Sequence, residues 1–155
     1  MRNFRKNKFK NDCLAVAFLI LAVTIVFLPA LSGRGALFRD DHATEQFPGV
    51  YFLSINLKRG IIPLWNPHIW CGGIPYYARY YSPLYYVFNW PFYLLADPNN
   101  LNWDFLVIYI LPWWLNLVLA AIGMYILSRR LLKCGCFISC LAALAYIYSP
   151  FFMRM

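Results

Sequence analysis

Hydrophobic residues form three long runs along the chain, at residues 13–31, 105–127 and 134–152. An α-helix rises about 1.5 Å per residue, so about 20 apolar residues cross a hydrocarbon layer of ~30 Å. The pattern therefore predicts an all-α membrane protein with about three transmembrane helices, at residues 13–31, 103–128 and 134–153. A cleaved signal peptide is the alternative for the first run. A retained span is favoured, because the apolar part of a signal peptide has only about 7–15 residues.

Polar and conformationally special residues are dense between the first two runs, in a loop at residues 32–102. Residues 44–59 predict a helix, because apolar positions recur at helical spacing, basic residues fill the last turn and Gly60 follows. Residues 83–96 predict a second helix. Both segments are short for a full span, so they are expected to lie in the membrane interface as juxtamembrane helices.

Particular residues mark the ends of these predicted helices. Ser82 and Pro83 suit the N-cap and first position of the second loop helix, in which Pro91 would be a kink. Asp97 begins a turn, and Asn102 can cap the helix of the second apolar run, in which Pro112 would be another kink.

The basic residues cluster at the ends of the apolar runs. They occupy a tail at residues 1–12 and a turn at residues 129–133. Because Lys and Arg accumulate on the cytoplasmic side of membrane proteins, this pattern places both segments in the cytoplasm and residues 32–102 outside, in a multi-pass protein of the plasma membrane.

Composition supports the membrane class. The chain is 62% hydrophobic and 13% charged, whereas an average soluble domain is about 25% charged. The net charge of +8 is explained by the flanks of the apolar runs and by binding to membrane lipid, and nucleic acid is not an expected partner.

The cysteines give no metal site. Cys134, Cys136 and Cys140 lie close together in sequence but have no convincing fourth ligand, and Cys13 lies in an apolar run. Cys71 is alone in the outer loop, so no disulfide is predicted there.

The sequence stops directly after an apolar helix, and three spans with one large loop make a poorly buried bundle. We therefore expect the N-terminal portion of a longer membrane protein, or a truncated reading frame. Association with other helices would depend on packing and polar contacts.

Motifs in the outer loop resemble those of a known group of membrane enzymes. The relevant residues are Asp41 with Gln46-Phe47-Pro48, the run at 60–67 (GIIPLWNP), the Gly72-Gly73-Ile74-Pro75 segment and Tyr81-Ser82-Pro83. In these motifs, and in the run LAALAYIYSPFF near the end, the chain resembles the polytopic glycosyltransferases of the GT-C superfamily. It is most similar to the YfhO-like proteins and to the family with a 6-pyruvoyl-tetrahydropterin-synthase-related membrane domain. The match covers most of the chain but only the first part of such a protein.

The resemblance implies a multi-span helical bundle and transfer of sugar from a polyprenyl-phosphate donor to a glycan, lipid or protein acceptor at the outer face. It also implies a catalytic acidic residue early in the first outer loop, which maps to Asp41 or Asp40. Attack by an acceptor hydroxyl needs one base, and a phosphate leaving group needs no acid, so one carboxylate suffices. Neighbouring residues do not share a face, and the spacing to Phe47 favours Asp41. The alternative is that both are solvated helix caps.

The leaving phosphate would need cations, for which Arg79, Lys58 and Arg59 are the candidates. Lys58 and Arg59 could instead extend their side chains to the headgroups. Arg79 lies among four tyrosines and could equally stack on their rings.

No cofactor is required by this chemistry, although a divalent cation could be bound by Asp40, or by Asp41 with His42 and Glu45. A surface histidine is the alternative for His42, and His68 is also expected at the surface.

A non-catalytic membrane module that packs against other spans is the second hypothesis, and the fragment alone is expected to be inactive. A transporter is a third and weaker hypothesis, because no charged residue lies inside a predicted span apart from Asp104 at the start of its helix.

Overall fold

The computed structural model describes residues 2–32, 46–68, 72, 75, 82–97 and 99–149, and the regular secondary structure within them is helical, with no strand. The expected all-α class is confirmed for this part of the chain. Its helices are α1 (Arg2–Leu31), α2 (Phe47–Lys58), α3 (Trp90–Tyr93), α4 (Leu101–Arg130) and α5 (Cys136–Ile147), with two 3₁₀ turns at Pro83–Tyr85 and Val87–Asn89.

Two of the helices are long and apolar enough to cross a membrane. They are the Lys10–Leu31 part of α1 and the whole of α4. α5 is apolar too, but its 12 residues cover only about 18 Å at the rise of an α-helix. The span predicted at residues 134–153 is thus helical only from Cys136 to Ile147, and its last four residues lie outside the described part.

The chain divides into two compact units. One comprises Met1–Leu28 and Trp114–Met155, and the other comprises Pro29–Trp113. α1 and α4 each contribute to both units, because the division falls inside these helices.

In the first unit, each helix presents one buried stripe at intervals of three or four residues, which is the spacing of one helix face. The stripe of α1 includes Leu19 and Val23, that of α4 includes Ala121 and Tyr125, and that of α5 includes Ala143. Small residues at these positions permit close approach of the helices. Hydrogen bonds join them: Trp114 Nε1 donates to Thr24 Oγ1 at 3.1 Å, and Tyr148 Oη donates to the Ala22 carbonyl at 2.7 Å.

The opposite face of α1 is apolar but exposed. Its stripe recurs at the same helical spacing and consists of Leu14, Phe18, Leu21, Ile25 and Leu28. α1 therefore has two apolar faces, of which the chain itself covers one.

In the second unit, α2 packs against α3 and the first turns of α4. Leu53 and Ile108 are fully buried there. Residues Phe105–Ile110 of α4 are π-helical and directly precede Pro112. Proline has no N–H and its ring clashes with the carbonyl four residues earlier, so wider turns before it relieve the clash. A π-helical segment thus comes shortly before Pro112, and the kink predicted at Pro112 stays a prediction.

The helix predicted at residues 83–96 is not continuous, and that prediction was wrong. Ser82 caps Pro83–Tyr85 as expected, since its side chain accepts from the Leu84 N–H. The chain then makes a second 3₁₀ turn and only four α-helical residues, Trp90–Tyr93. The break falls at Tyr86, whose ψ of 62° is not helical, and Pro91 lies in the first turn of the next helix, where the missing N–H is tolerated.

Three helix boundaries also differ from the predictions. The basic tail is helical from Arg2 and continuous with α1. Asn100, not Asn102, caps α4, because its Oδ1 accepts from the Trp103 N–H at 3.1 Å. α4 continues through Arg130, so the polar turn begins at residue 131 instead of residue 129.

Candidate functional site

The predicted catalytic and metal-binding residues fall outside the described part of the chain. This applies to Asp40, Asp41, His42 and Glu45, and also to the phosphate-binding candidate Arg79. Their predicted roles therefore stay predictions.

Lys58 and Arg59 are described, and they lie at the exposed C-terminal end of α2. The helix ends here because Gly60 adopts a left-handed conformation with φ of 72°, and its N–H donates to the Leu57 carbonyl at 2.9 Å. Neither cation makes an ion pair to a described carboxylate. Both side chains are exposed, and their predicted phosphate-binding role stays a prediction.

The motif loop, residues 60–75, has local structure at the residues on which the family resemblance rests. Asn66 is buried, and its Oδ1 accepts from the His68 N–H at 3.0 Å in an Asx turn. Gly72 has φ of +73°, and a Cβ there would lie 3.2 Å from Trp65 Cζ2. The Trp65 ring therefore packs directly on the Gly72 backbone. His68 is exposed and lies edge-on to Phe52, with ring centroids 6.0 Å apart.

The Gln46-Phe47-Pro48 motif is anchored on α4. Tyr109 Oη donates to Gln46 Oε1 at 3.1 Å. The Phe47 ring meets Phe105 and Tyr109 edge-on, at centroid distances of 5.5 and 6.0 Å. These contacts hold the start of α2 against the π-helical segment of α4.

The core of the second unit contains two residues with polar side chains, Ser54 and Tyr93. Ser54 is buried and its Oγ donates to the Tyr93 carbonyl. The phenol of Tyr93 is itself buried, and desolvation raises its pKa to about 12. This phenol is therefore neutral at physiological pH, as a structural side chain would be.

Asp104 lies in the first turn of α4, at a helix start as its sequence position indicates, and is fully buried there. Its Oδ1 accepts from the Asp97 N–H and closes the turn before α4. Its Oδ2 is buried and has no hydrogen-bond partner among the described residues. The sequence signal that could have indicated this role is the position of Asp104, an acidic residue in the first turn of a helix that Asn100 caps.

The first unit contains a second polar cluster, which joins α1, α4 and the start of α5. Asp12 Oδ1 accepts from Arg129 Nε and Nη2 at 2.9 and 2.7 Å, and from Tyr125 Oη at 2.6 Å. Arg129 Nη1 also donates to the Cys134 carbonyl at 3.1 Å. Cys136 Sγ lies 3.4 Å from Tyr125 Oη. This cluster fixes the position of residues 129–136 against the start of α1.

A cleft that the described residues form in the first unit is small and apolar, apart from the Tyr148 hydroxyl already bonded to Ala22. It is formed by Val23, Val26, Phe27, Leu117, Ile147 and Tyr148. No group of three or more metal-ligating side chains occurs in the described ranges.

Comparison with protein-family models, with curated proteins and with solved structures returned no match for this chain. The resemblance to the GT-C glycosyltransferases therefore depends on its sequence motifs alone.

Proposed function

We propose that this chain is the N-terminal portion of a multi-pass membrane glycosyltransferase, inserted through α1, α4 and the segment at residues 134–153. The enzyme would move a sugar from a polyprenyl-phosphate donor to an acceptor at the outer membrane face. Asp41 would act as the base, or Asp40 in its place, and Arg79 would bind the phosphate together with Lys58 and Arg59.

Membrane insertion is supported by the exposed apolar face of α1. Only 28% of the most apolar window of α1 is buried within the chain, and 39% of that of α4. The core helix of a soluble protein would be mostly covered, because exposed apolar surface costs about 25 cal/mol per Å² in water. Lipid would cover such a surface on a spanning helix.

The glycosyltransferase assignment is carried by the motif loop between α1 and α4. The loop places an acidic pair directly after the first predicted span and before the run GIIPLWNP. Within this run Pro63 and Asn66 are buried, whereas Ile61, Ile62, Leu64 and Trp65 are exposed, and Trp65 also contacts Gly72. Binding and catalytic residues often lie on such surface loops.

The assignment is tested by replacing Asp41 in the complete gene product. Membranes containing the native protein, Asp41→Asn or Asp40→Asn at equal abundance are supplied with radiolabelled polyprenyl-phosphate glucose, mannose or N-acetylglucosamine. Loss of a general base costs about 10²–10⁴-fold in rate, so Asp41→Asn should abolish measurable transfer while Asp40→Asn retains it. Unchanged transfer by Asp41→Asn would refute the role of Asp41.

A non-catalytic module is the second candidate, favoured by the same exposed apolar faces, which would pack against further spans. No transfer by the native protein with any donor, together with co-purification of a polytopic partner, would support it over the enzyme.

A further inference from the structure

The tertiary structure brings together two basic segments that lie far apart in the sequence. Asp12 in α1 and Arg129 at the end of α4 form an ion pair with an N–O distance of 2.7 Å. The Arg129 guanidinium also holds the Cys134 carbonyl, and Cys136 Sγ lies 3.8 Å from the Asn11 carbonyl oxygen. Asn11 and Asp12 of α1 therefore lie together with residues 129–136 in the first unit.

Three cations close in sequence to these residues remain uncompensated by described acids. Asp12 is bonded to Arg129, whereas Lys10, Arg130 and Lys133 are exposed and make no ion pair with a described carboxylate. Lys133 adopts a left-handed conformation with φ of 55° in the turn between α4 and α5. Four further basic residues precede Lys10 within α1, namely Arg2, Arg5, Lys6 and Lys8.

Large exposed apolar side chains are close in sequence to two of these cations, Arg130 and Lys133. Leu131, Leu132 and Phe137 are 72%, 64% and 74% exposed. Exposed leucine and phenylalanine beside lysine and arginine form a surface that matches the border between headgroups and acyl chains, because the cations meet phosphate while the apolar groups meet the chains.

We propose that this basic surface, defined by Lys10, Arg130 and Lys133, binds the anionic headgroups of a phospholipid bilayer. Binding would hold this surface at the anionic cytoplasmic leaflet. The proposal rests on the membrane insertion proposed above and is independent of glycosyl transfer.

The test compares lipid binding by the purified full chain in a neutral detergent. Fluorescent phosphatidylglycerol and phosphatidylcholine are titrated against the native protein and against Lys10→Gln/Arg130→Gln/Lys133→Gln. Lys10→Arg/Arg130→Lys/Lys133→Arg is the matched control, since it changes the same three exposed side chains and keeps their positive charge. The native protein and the control should prefer phosphatidylglycerol, and the triple variant should lose about tenfold or more of that affinity. Added salt should weaken the preference, as for any exposed charge pair.

Equal binding of the two lipids by the native protein, or an unchanged preference in the triple variant, would overturn the proposal. Displacement of the lipid by millimolar inorganic phosphate but not by sodium chloride of equal ionic strength would do so too, because it would assign the surface to a soluble anion. Extraction of the protein from membranes by alkaline carbonate would instead count against insertion. Circular dichroism of the triple variant confirms that its helices are retained.

Discussion

Buried polar side chains in the second unit satisfy backbone groups where the chain changes direction. Asn66 accepts the His68 N–H, Ser54 donates to the Tyr93 carbonyl, and Asp104 accepts the Asp97 N–H. Unpaired backbone groups in a buried loop cost free energy comparable to a lost hydrogen bond. These residues therefore stabilise the chain between α2 and α4. Their burial is explained by this structural role, and no catalytic role is needed to account for it.

Gly72 should tolerate no side chain. Gly72→Ala would force a left-handed conformation on alanine and place its Cβ 3.2 Å from Trp65, and we expect it to lower the free energy of unfolding by about 1–3 kcal/mol. Thermal unfolding in detergent measures this effect.

Substitutions at two other glycines distinguish backbone strain from steric contact with Trp65. Gly60 has nearly the same φ as Gly72, but a Cβ added there would meet open space. Gly123 has open space around it and an ordinary helical φ. Strain alone predicts that Gly60→Ala matches Gly72→Ala. An added steric term makes Gly72→Ala worse, while Gly123→Ala is neutral or stabilising. A Gly72→Ala protein as stable as Gly123→Ala would contradict the packing of this loop.

Tyr93 should make stability depend on alkaline pH. Its folded pKa of about 12 lies above the unfolded value of about 10, so its contribution is complete below pH ~10 and is lost as the pH rises toward 12. The loss approaches about 2–3 kcal/mol, because one pKa unit is worth about 1.36 kcal/mol.

The comparison of native protein with Tyr93→Phe isolates this effect. Unfolding midpoints measured from pH 8 to pH 11.5 should fall more steeply for the native protein, since phenylalanine has no proton to lose. The backbone carbonyl that binds Ser54 is unchanged by this substitution. Parallel curves for the two proteins would contradict the burial of this phenol.

At the scale of the elements, α1 combines two apolar faces with different roles. Leu19 is fully buried within the chain, whereas Leu21, two residues later, is 57% exposed. α4 differs in that it contains a π-helical segment, Phe105–Ile110, within the second unit. The inner stripes are therefore packing surfaces, and the outer stripes are surfaces for lipid or for another helix.

Leu19 and Leu21 provide a matched pair to test these roles. Leu19→Ala removes buried volume and should lower the free energy of unfolding by about 2–4 kcal/mol. Leu21→Ala makes the same chemical change on the exposed face and should cost much less. Unfolding in a mixed-micelle titration with sodium dodecyl sulfate measures both, and equal losses would show that the face of α1 has been assigned wrongly.

At the scale of the whole molecule, charge determines the expected orientation. The uncompensated cations of the first unit are grouped near Asp12 and Arg129, while Lys58 and Arg59 belong to the loop after the first predicted span. The positive-inside tendency then predicts that the first group faces the cytoplasm and that the loop lies outside.

Single cysteines test this topology. In a background with the native cysteines replaced by serine, Arg59→Cys should react with a membrane-impermeant maleimide in intact cells. Lys133→Cys should react only after permeabilisation. Both native side chains are exposed, so reagent access at either site is limited by the membrane and not by burial. The reverse pattern would contradict the proposed orientation and the outer location of Asp41 together.

The sequence by itself determined the helical class, the apolar segments and several ends of helices. Ser82, the turn at Asp97 and the stop at Gly60 could be predicted because capping and turn formation depend on a few neighbouring residues. The sequence also predicted α2 closely: the predicted range was residues 44–59, and the helix in the structure is Phe47–Lys58. The acidic pair and Arg79 stay sequence predictions, since they lie outside the described residues.

Only the tertiary structure decided which apolar face is inside. In a run such as residues 13–31 nearly every position is hydrophobic, so periodicity gives no contrast between Leu19 and Leu21. The burial of Asp104 and the pairing of Asp12 with Arg129 likewise depend on partners brought close by folding, over separations of 7 and 117 residues. Local sequence signals end within a turn or two, whereas packing joins residues from distant segments, and for that reason the two basic segments could be recognised separately but not seen as one surface.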